Sequence, residues 1–385
     1  MAAPQYTTVD AQARVAQAAI KQAILKSSDW AHLQLSTGTQ NTTLTAGASA
    51  GATSVQVNTT IPSGSLIVIG NGAANPECRI TTGVSGTSGA FVVTFADPLV
   101  NSYSNGAAVG VGFFVKATTT RGAQMVVDLN DAAWDNRTMT LGIYRTHDGT
   151  TGVDKITRYI RCRNNSTTAT TVLHLDVSCS KEMLFFGVEG ARAGETGLDD
   201  ATYGSSKQCL VLADIVPYHA GDTVPAVACV GHISNNVGDV STYMNVSRNQ
   251  GNNASWVQAR LMSLQPILAP QYSIATTGYV TQAAKGDGNY YVWPFVVVEG
   301  VDGLRGRLNE IFFSGFAVFG GAPSLAGEGS PTLGAVITYS GNSYKLVAAT
   351  KGLPGAWTTS NPLGLVNNSI SGGVMYNPLI AVPIG

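Results

Sequence analysis

The sequence predicts a mainly β protein made of several small antiparallel β modules, sandwich- or barrel-like, with an N-terminal helical arm. Short runs rich in β-branched and aromatic residues recur from about residue 36 onward, and several of them alternate with polar residues. Clusters of Gly, Asn, Ser and Pro separate these runs, as is typical of turns between antiparallel strands. Helical periodicity is clear only in the first 35 residues.

Residues 1–35 are predicted to form the N-terminal helical arm. Thr7-Thr-Val-Asp10 resembles a capping box, and Ser27 and Ser28 end the pattern. Small and apolar residues recur between them at helical spacing: Val9, Ala13, Ala16, Ile20, Ala23 and Ile24. The helix could dock on its own domain or on a neighbouring subunit. Because an alanine stripe buries little apolar area, we expect docking on a neighbouring copy or partner protein.

Residues 36–115 are predicted to form a small β module. Its first strand, Ser54–Asn58, alternates as a half-buried strand does. Three further strand candidates follow: Leu66–Ile69, Arg79–Thr81 and Phe91–Phe95. Their regular spacing is the signature of a compact antiparallel module.

Residues 116–300 are predicted to form a central β-rich domain. The strand candidates are Gln124–Asp128, Met139–Tyr144, Val172–Val177, Cys209–Leu212, Ala226–Val230, Tyr290–Trp293 and Phe295–Val298. The segment Ala254–Leu264 fits a short helix or a strand pair equally well. Pro294 interrupts the last two runs and belongs at an edge or a bend.

Residues 301–385 are predicted to form a C-terminal β region and tail. Ile337–Ser340 and Ser343–Val347 flank Gly341-Asn342, which suits a two-residue hairpin turn. That register would place Tyr339 opposite Tyr344 as an aromatic cross-strand pair. The apolar tail is expected to lie along its own domain or along a neighbour.

The chain carries little charge for its length. Only 12% of the 385 residues are Asp, Glu, Lys or Arg, while 44 are glycine, and this charged share is roughly half of that usual in soluble domains. Mean hydropathy is +0.12. A free monomer normally keeps a charged surface of mixed sign. Many surfaces of this chain are therefore expected to be covered by neighbours.

The bulk properties also argue against several classes of protein. A formal net charge of −1 provides no overall attraction to nucleic acid or to an anionic membrane. Apolar runs such as Phe295–Val298 are far too short to span a bilayer. The start of the chain lacks the pattern of a signal peptide. The five scattered cysteines are expected to be free, mostly buried thiols of a protein made in a reducing cytosol.

Patterns that could carry chemistry are weak. Gly47–Gly51 matches Gly-x-Ser-x-Gly, but a nucleophile elbow needs a helix after the serine, and β-like sequence follows here. Cys229 and His232 form a close pair, but a zinc site needs a second pair at similar spacing. We interpret the histidines as structural: His32, His147, His174, His219 and His232. We predict no enzyme, no cofactor and no metal site.

Two charged clusters have alternative interpretations. The Gly-rich loop at Gly194–Asp200 could supply calcium ligands, but it lacks calcium-loop spacing and is interpreted as a solvated acidic loop. The densest basic cluster consists of Lys155, Arg158, Arg161 and Arg163. Strand alternation would divide these charges between two faces, so ion pairs between subunits are favoured over a phosphate or nucleic-acid contact. Asp148-Gly149 and Asp287-Gly288 are interpreted as turns.

Several segments resemble parts of known virion proteins. The segments Ala50–Val57, Ile61–Leu66, Glu77–Ile80 and Asn105–Val109 resemble small β modules that recur in virion structural proteins of tailed bacteriophages. Gly303–Leu308 and the later hairpin are similar to the end of such proteins. The resemblance implies assembly rather than catalysis.

We therefore expect a structural subunit of a phage virion, used in capsid decoration, head–tail connection or the tail, that acts by self-assembly. Its partners would be other copies of itself and other virion proteins, with neither membrane nor nucleic acid indicated. Its location would be the virion, after synthesis in the host cytoplasm. The alternative is a receptor- or glycan-binding module of a tail tip or spike, suggested by Tyr, Trp and Asn in the loops. The absence of an internal repeat disfavours a trimeric fibre.

Overall fold

The computed structural model of the chain describes residues 4–131, 138–153, 155–161, 172–189, 207–217, 227–232, 242–247, 256–261, 291–293, 296–299, 305–308, 312–319, 336–339, 342–348 and 374–384. The predicted mainly β fold is confirmed, because nearly all regular structure in these ranges is antiparallel strand. The described residues contain one α-helix, α1 (Ala16–Ile24), which follows a short 3-10 turn at Ala13–Val15.

The strands are numbered in chain order. The first nine are β1 (Gln5–Gln12), β2 (Ala31–His32), β3 (Thr42–Thr43), β4 (Ser54–Val57), β5 (Leu66–Ile69), β6 (Glu77–Thr87), β7 (Ala90–Phe95), β8 (Ala108–Val111) and β9 (Phe114–Thr118). The next nine are β10 (Gln124–Asp128), β11 (Thr138–Tyr144), β12 (Thr146–His147), β13 (Gly152–Val153), β14 (Ile156–Arg161), β15 (Val172–Cys179), β16 (Met183–Glu189), β17 (Lys207–Pro217) and β18 (Val227–His232). The last nine are β19 (Thr242–Ser247), β20 (Trp256–Leu261), β21 (Tyr291–Trp293), β22 (Val296–Glu299), β23 (Arg305–Leu308), β24 (Phe312–Phe319), β25 (Val336–Tyr339), β26 (Asn342–Ala348) and β27 (Val374–Pro383).

Six strands between residues 42 and 111 form a small closed sheet, here called the ring. Their order is β3-β8-β5-β6-β7-β4, and a bridge between Leu44 and Val57 joins the last strand back to the first. Alternation gives the ring an apolar inner face, since Val55 and Val57 point inward while Ser54 and Gln56 point outward. The ring therefore has an apolar interior of its own, formed by Leu44, Val55, Val57, Ile61, Ile67, Ile69, Val93, Phe95, Leu99, Val109 and Val111.

Two further sheets share a second core. A five-stranded sheet, β14-β11-β10-β9-β2, contributes Met125, Val127, Leu141 and other apolar residues. A nine-stranded sheet, β1-β15-β16-β17-β18-β19-β20-β22-β23, contributes the alternate residues Leu173, Leu175, Val177 and Cys179 of β15. Period-two alternation on β15 leaves its polar residues on the other face of that sheet.

Helix α1 lies between the ring and this second core. Ala16, Ile20, Ala23 and Ile24 are buried among residues of the two sheets. On another side of the helix, Ala18 packs with Leu66, Val68 and Cys78 on the outer face of the ring. Alanine side chains let the helix approach both bodies closely, so the alanine-rich stripe joins them.

The N-terminal prediction is wrong in two respects. Residues Gln5–Gln12 form strand β1, which pairs with β15 over its whole length, so Thr7-Thr-Val-Asp10 is no capping box. The helix begins at Ala16 after Val15, and no side chain caps it. The described contacts place both elements on this chain's own sheets rather than on a neighbour. Backbone pairing with β15 outweighs the local helical signal.

Most predicted strands are confirmed, and the ambiguous segment Ala254–Leu264 contains strand β20. The predicted C-terminal register is wrong by two residues, because the turn lies one residue earlier: Tyr339 pairs with Asn342, and Tyr344 pairs with Ile337. The expected tyrosine pair is therefore absent from this hairpin. Strand β27, which contains most of the apolar tail, pairs with both β26 and β24, and such tertiary pairing decides a register that turn composition leaves open.

Strands from before residue 300 pair with strands from after it, although the predicted central and C-terminal regions meet at that residue. The runs on either side of Pro294 enter different sheets, because β21 pairs with β24 while β22 pairs with β20. Strand β23, beyond residue 300, pairs with β17 and β22.

Replacing Ile20 by Ala tests the role of the helix as core. Ile20 is fully buried in the shared core, so Ile20→Ala should lower the free energy of unfolding by about 2–5 kcal/mol. Val100→Ala is the control, because Val100 is 74% exposed and its loss should change stability by less than about 0.5 kcal/mol. Urea unfolding followed by circular dichroism measures both. Equal effects of the two substitutions would show that α1 is peripheral.

Candidate functional site

The most unusual ionisable group in the described residues is the amine of Lys21, which is fully buried on α1. Its Nζ donates to the carbonyl oxygen of Gly112, 2.5 Å away, and lies 2.8 Å from Nδ1 of His32. Gly112 belongs to the connection that leaves the ring, and His32 belongs to β2. One ammonium group therefore links the helix, the ring and the five-stranded sheet.

The tautomer of His32 follows from its other contacts. Its Nε2 lies 3.3 Å from Oε1 of Gln34 and 3.2 Å from Oδ1 of Asn41, which are both acceptors. Nε2 therefore carries the hydrogen, and Nδ1 is free to accept from Lys21. A side chain at Gly110 would meet the imidazole at 2.6 Å, so only glycine fits beside the ring.

Burial changes the titration of both groups. Loss of solvent lowers the pKa of Lys21 to about 7, against smaller opposing effects of Cys78 and Asp128. Burial, together with the charge of Lys21, lowers the pKa of His32 to about 4. A lysine with such a pKa could act as a nucleophile. No part of Lys21 is solvent-accessible, however, so the arrangement favours a structural role.

A second buried cluster surrounds Glu77 in the ring. The carboxylate is 1% exposed and pairs with the guanidinium of Arg79. It accepts hydrogen bonds from the backbone N–H of Val100 (2.9 Å) and Asn101 (2.6 Å), and from the hydroxyl of Tyr103 (3.2 Å). Burial alone would raise the pKa of Glu77, but these donors and Arg79 lower it. The pair holds the loop between β7 and β8 in place.

The guanidinium of Arg79 extends the same cluster towards the helix. It donates to the carbonyl oxygens of Asp97 (3.0 Å) and Pro98 (2.7 Å), and lies 3.4 Å from Oε1 of Gln22 on α1. The same Gln22 oxygen accepts from the backbone N–H of Cys78 at 3.2 Å. This polar contact is the second link between ring and helix.

A third buried cluster joins the two large sheets. Asp214 of β17 accepts from the hydroxyl of Thr119 at 2.7 Å and pairs with Arg121 at 3.4 Å. Glu182 accepts from the backbone N–H of Thr120 at 2.9 Å. Both carboxylates are almost fully buried. The turn between β9 and β10 is thereby attached to β16 and β17.

Polar side chains also line the outer face of the β1–β15 pair. Nδ1 of His174 lies 2.6 Å from Oδ1 of Asp10, within hydrogen-bond distance, and the hydroxyls of Tyr6 and Thr8 donate to Asp176. The ammonium of Lys345 lies 4.8 Å from the centre of the Tyr6 ring. These contacts connect strands across the sheet and bring β26 to the same face.

Where the structure describes the candidates predicted from the sequence, they occupy structural positions. Ser49, in Gly47–Gly51, is exposed on a loop that leads into β4 rather than into a helix. His147 lies edge-on to the rings of Phe114 and Tyr144, and its Nδ1 accepts from Gly149. Asp148 forms the expected turn by accepting from the backbone N–H of Thr150 and Thr151, each at 2.7 Å.

Some of the remaining candidates lie in described residues, and the others do not. Lys155 pairs with Asp131 of its own chain and lies 6.0 Å from the ring centre of Tyr144, while the ion pair between subunits expected for this cluster stays a prediction. Arg158 and Arg161 lie on β14. Cys229 and His232 lie three positions apart on β18, an odd spacing that places these positions on opposite faces of a strand. Arg163, Gly194–Asp200, His219 and Asp287-Gly288 lie outside the described residues.

Cys78 and Cys179 are free and buried, as expected, and burial raises the pKa of each thiol to about 12. In the part of the chain that the structure describes, no three His, Cys, Asp or Glu side chains are grouped as metal ligands would be. The same residues include no helix long and apolar enough to cross a bilayer.

Sequence reasoning missed the buried clusters. Lys21 sits in a helical pattern as an ordinary solvent-facing lysine would, and Glu77 and Arg79 alternate on a strand as surface residues do. No local signal separates a buried charge from an exposed one here. Comparisons with protein-family models, curated proteins and solved structures find no match to this chain.

The pKa of Lys21 predicts a pH-dependent stability. Because burial lowers this pKa from 10.5 to about 7, the unfolded chain binds more protons than the folded chain between these values. The free energy of unfolding should therefore rise between about pH 7 and pH 9, by roughly 1 kcal/mol per pH unit at most. Above pH 9 the buried thiols act in the opposite direction, since their pKa values are raised.

Replacing Lys21 by Met should flatten this slope between pH 7 and pH 9, as measured by urea unfolding. The slope is the readout because the substitution also removes two hydrogen bonds and so changes absolute stability. Lys181→Met is the matched control, because Lys181 is exposed and its loss should leave the slope intact. An unchanged slope in Lys21→Met would contradict the assignment.

Replacing Glu77 by Gln tests the second cluster. The change leaves Arg79 buried without its counter-charge and places an amide N–H₂ against groups that are themselves donors. We expect a loss of about 3–5 kcal/mol in unfolding free energy. Asp97→Asn is the control, because the Asp97–Arg14 pair is partly exposed and worth about 1 kcal/mol or less. If the two substitutions cost the same, the cluster does not stabilise the ring.

Proposed function

We propose that this chain is a structural subunit of a tailed-phage virion that acts by self-assembly. The proposal rests on the burial of several of the chain's few charged residues. Lys21, Glu77, Arg79, Glu182 and Asp214 are all buried in contacts within the chain. Those charges are therefore not available to keep the surface hydrated.

The outer surface of the ring illustrates the consequence. No charged residue occurs between Arg79 and Asp97, a stretch that includes most of the hairpin β6–β7. Its exposed positions are Thr, Ser, Gly and Val. Such a surface loses little hydration energy when another protein covers it, since the large desolvation cost belongs to charged groups.

The resemblance of the ring segments to small virion modules supports the same conclusion. Self-assembly would proceed by burial of uncharged β surface between copies and against other virion proteins. Capsid decoration, head–tail connection and the tail are the positions for which such a subunit is suited. We propose no catalytic step, because the buried ionisable clusters link elements of the fold and Lys21, the most perturbed group, is closed to solvent.

Self-association tests this proposal directly. Sedimentation velocity at increasing micromolar concentration should show the purified chain passing from small species to oligomers, and negative-stain electron microscopy should show regular assemblies. Mass spectrometry of purified particles should find the chain in many copies. A chain that stays monomeric, or that occurs in a few copies at a distal tip and binds a glycan array, would overturn the proposal.

A further inference from the structure

We infer that the free edge of strand β6 between Thr82 and Thr87 pairs with the same edge of a second copy of this chain. This inference rests on the proposed function and names the surface that self-assembly would use. The near half of β6, Glu77–Ile80, pairs with β5 on one side, and Thr81 still bonds to Ser65 there. Beyond Thr81, no described strand pairs with this edge, while the other edge continues along β7.

The hydrogen-bond pattern identifies which backbone groups face outward. Phe95 donates its N–H to the carbonyl oxygen of Thr53, beside β4, so Val93 also faces β4 and Val92 faces β6. In the β6–β7 register Val92 pairs with Ser85, and Val93 pairs with Val84. Ser85 therefore bonds to β7, whereas the N–H and C=O of Val84 point to the free edge.

Apart from the bulge at Thr82, the edge lacks the features that protect edge strands from pairing. Natural edges carry Lys, Glu or Pro, or are covered by another element. Residues Thr82–Thr87 include none of these residue types, and most of them are exposed, with Val84 at 40%. The bulge at Thr82 starts this segment, and Gly86, with φ of +99°, ends its regular part. Val84 lies between these two points.

A second copy is the occupant that fits this edge. An uncharged strand has no charge with which to select a charged partner, and it does not repel its own image as a charged strand would. Antiparallel pairing about a two-fold axis at Val84 would let the two Val84 residues exchange both backbone bonds. This short pairing would set the orientation of neighbouring copies, and the uncharged surfaces around it would add buried area.

Substitution by lysine at this edge tests the inference. Val84→Lys places two like charges opposite each other in the paired edge, and should weaken self-association about tenfold while the melting temperature stays close to that of the parent chain. Val100→Lys is the matched control, because Val100 is more exposed and lies outside β6. Val84→Thr, which keeps a neutral β-branched side chain, should assemble like the parent. Sedimentation velocity measures all four proteins.

Hydrogen exchange provides a second readout that does not depend on a variant. In the monomer the amide of Val84 should exchange freely while that of Ser85 is protected by β7, and assembly should protect Val84. If the parent chain assembles but Val84→Lys assembles equally well, or if Val84 stays unprotected, the edge is not the interface and the proposed function stands. If Val100→Lys weakens assembly as much as Val84→Lys, the edge inference also fails. If the parent chain never associates, the proposed function itself fails.

Discussion

The described fold depends on the burial of one nine-residue helix between the ring and the core of the two large sheets. Helix α1 presents Ile20 and Ile24 to the core of the two large sheets, and Ala18 to the outer face of the ring. Such a helix is too short to be stable alone, so its packing supplies its stability. At the junction, the ammonium of Lys21 satisfies Gly112 and His32, groups that apolar packing would leave without a donor.

Buried charges perform similar work elsewhere in the chain. The Glu77–Arg79 pair secures the ring's longest connection, and Asp214 with Glu182 attaches a turn of one sheet to strands of the other. A buried ion pair contributes little net stability compared with apolar packing, but breaking one is costly. These clusters therefore specify which elements meet. Their location inside the protein removes these charges from the surface of a chain that has only 12% charged residues.

Period-two alternation and turn residues were sufficient to predict four of the six ring strands and several strands of the central sheets, for example Ser54–Val57 and Gln124–Asp128. They could not predict register where one turn allows two pairings, as at Tyr339 and Tyr344. They also could not predict that Gln5–Gln12 would form a strand, because β15, the partner that pairs with it, lies about 170 residues away. The buried clusters were missed for the same reason, since each consists of groups that are ordinary in their local sequence.

The sequence by itself determined the β character of the chain, most of its turn positions, its poverty in charge and the apolar stripe of α1, because each of these depends on neighbouring residues. Tertiary structure alone decided the closure of the ring, the pairing of β1 with β15 and the burial of Lys21, which its local sequence would place at the surface. Burial and pairing depend on what packs against a residue from distant parts of the chain. The alternation of β6 predicts a strand, but only the arrangement of its neighbours leaves Val84 with a free edge.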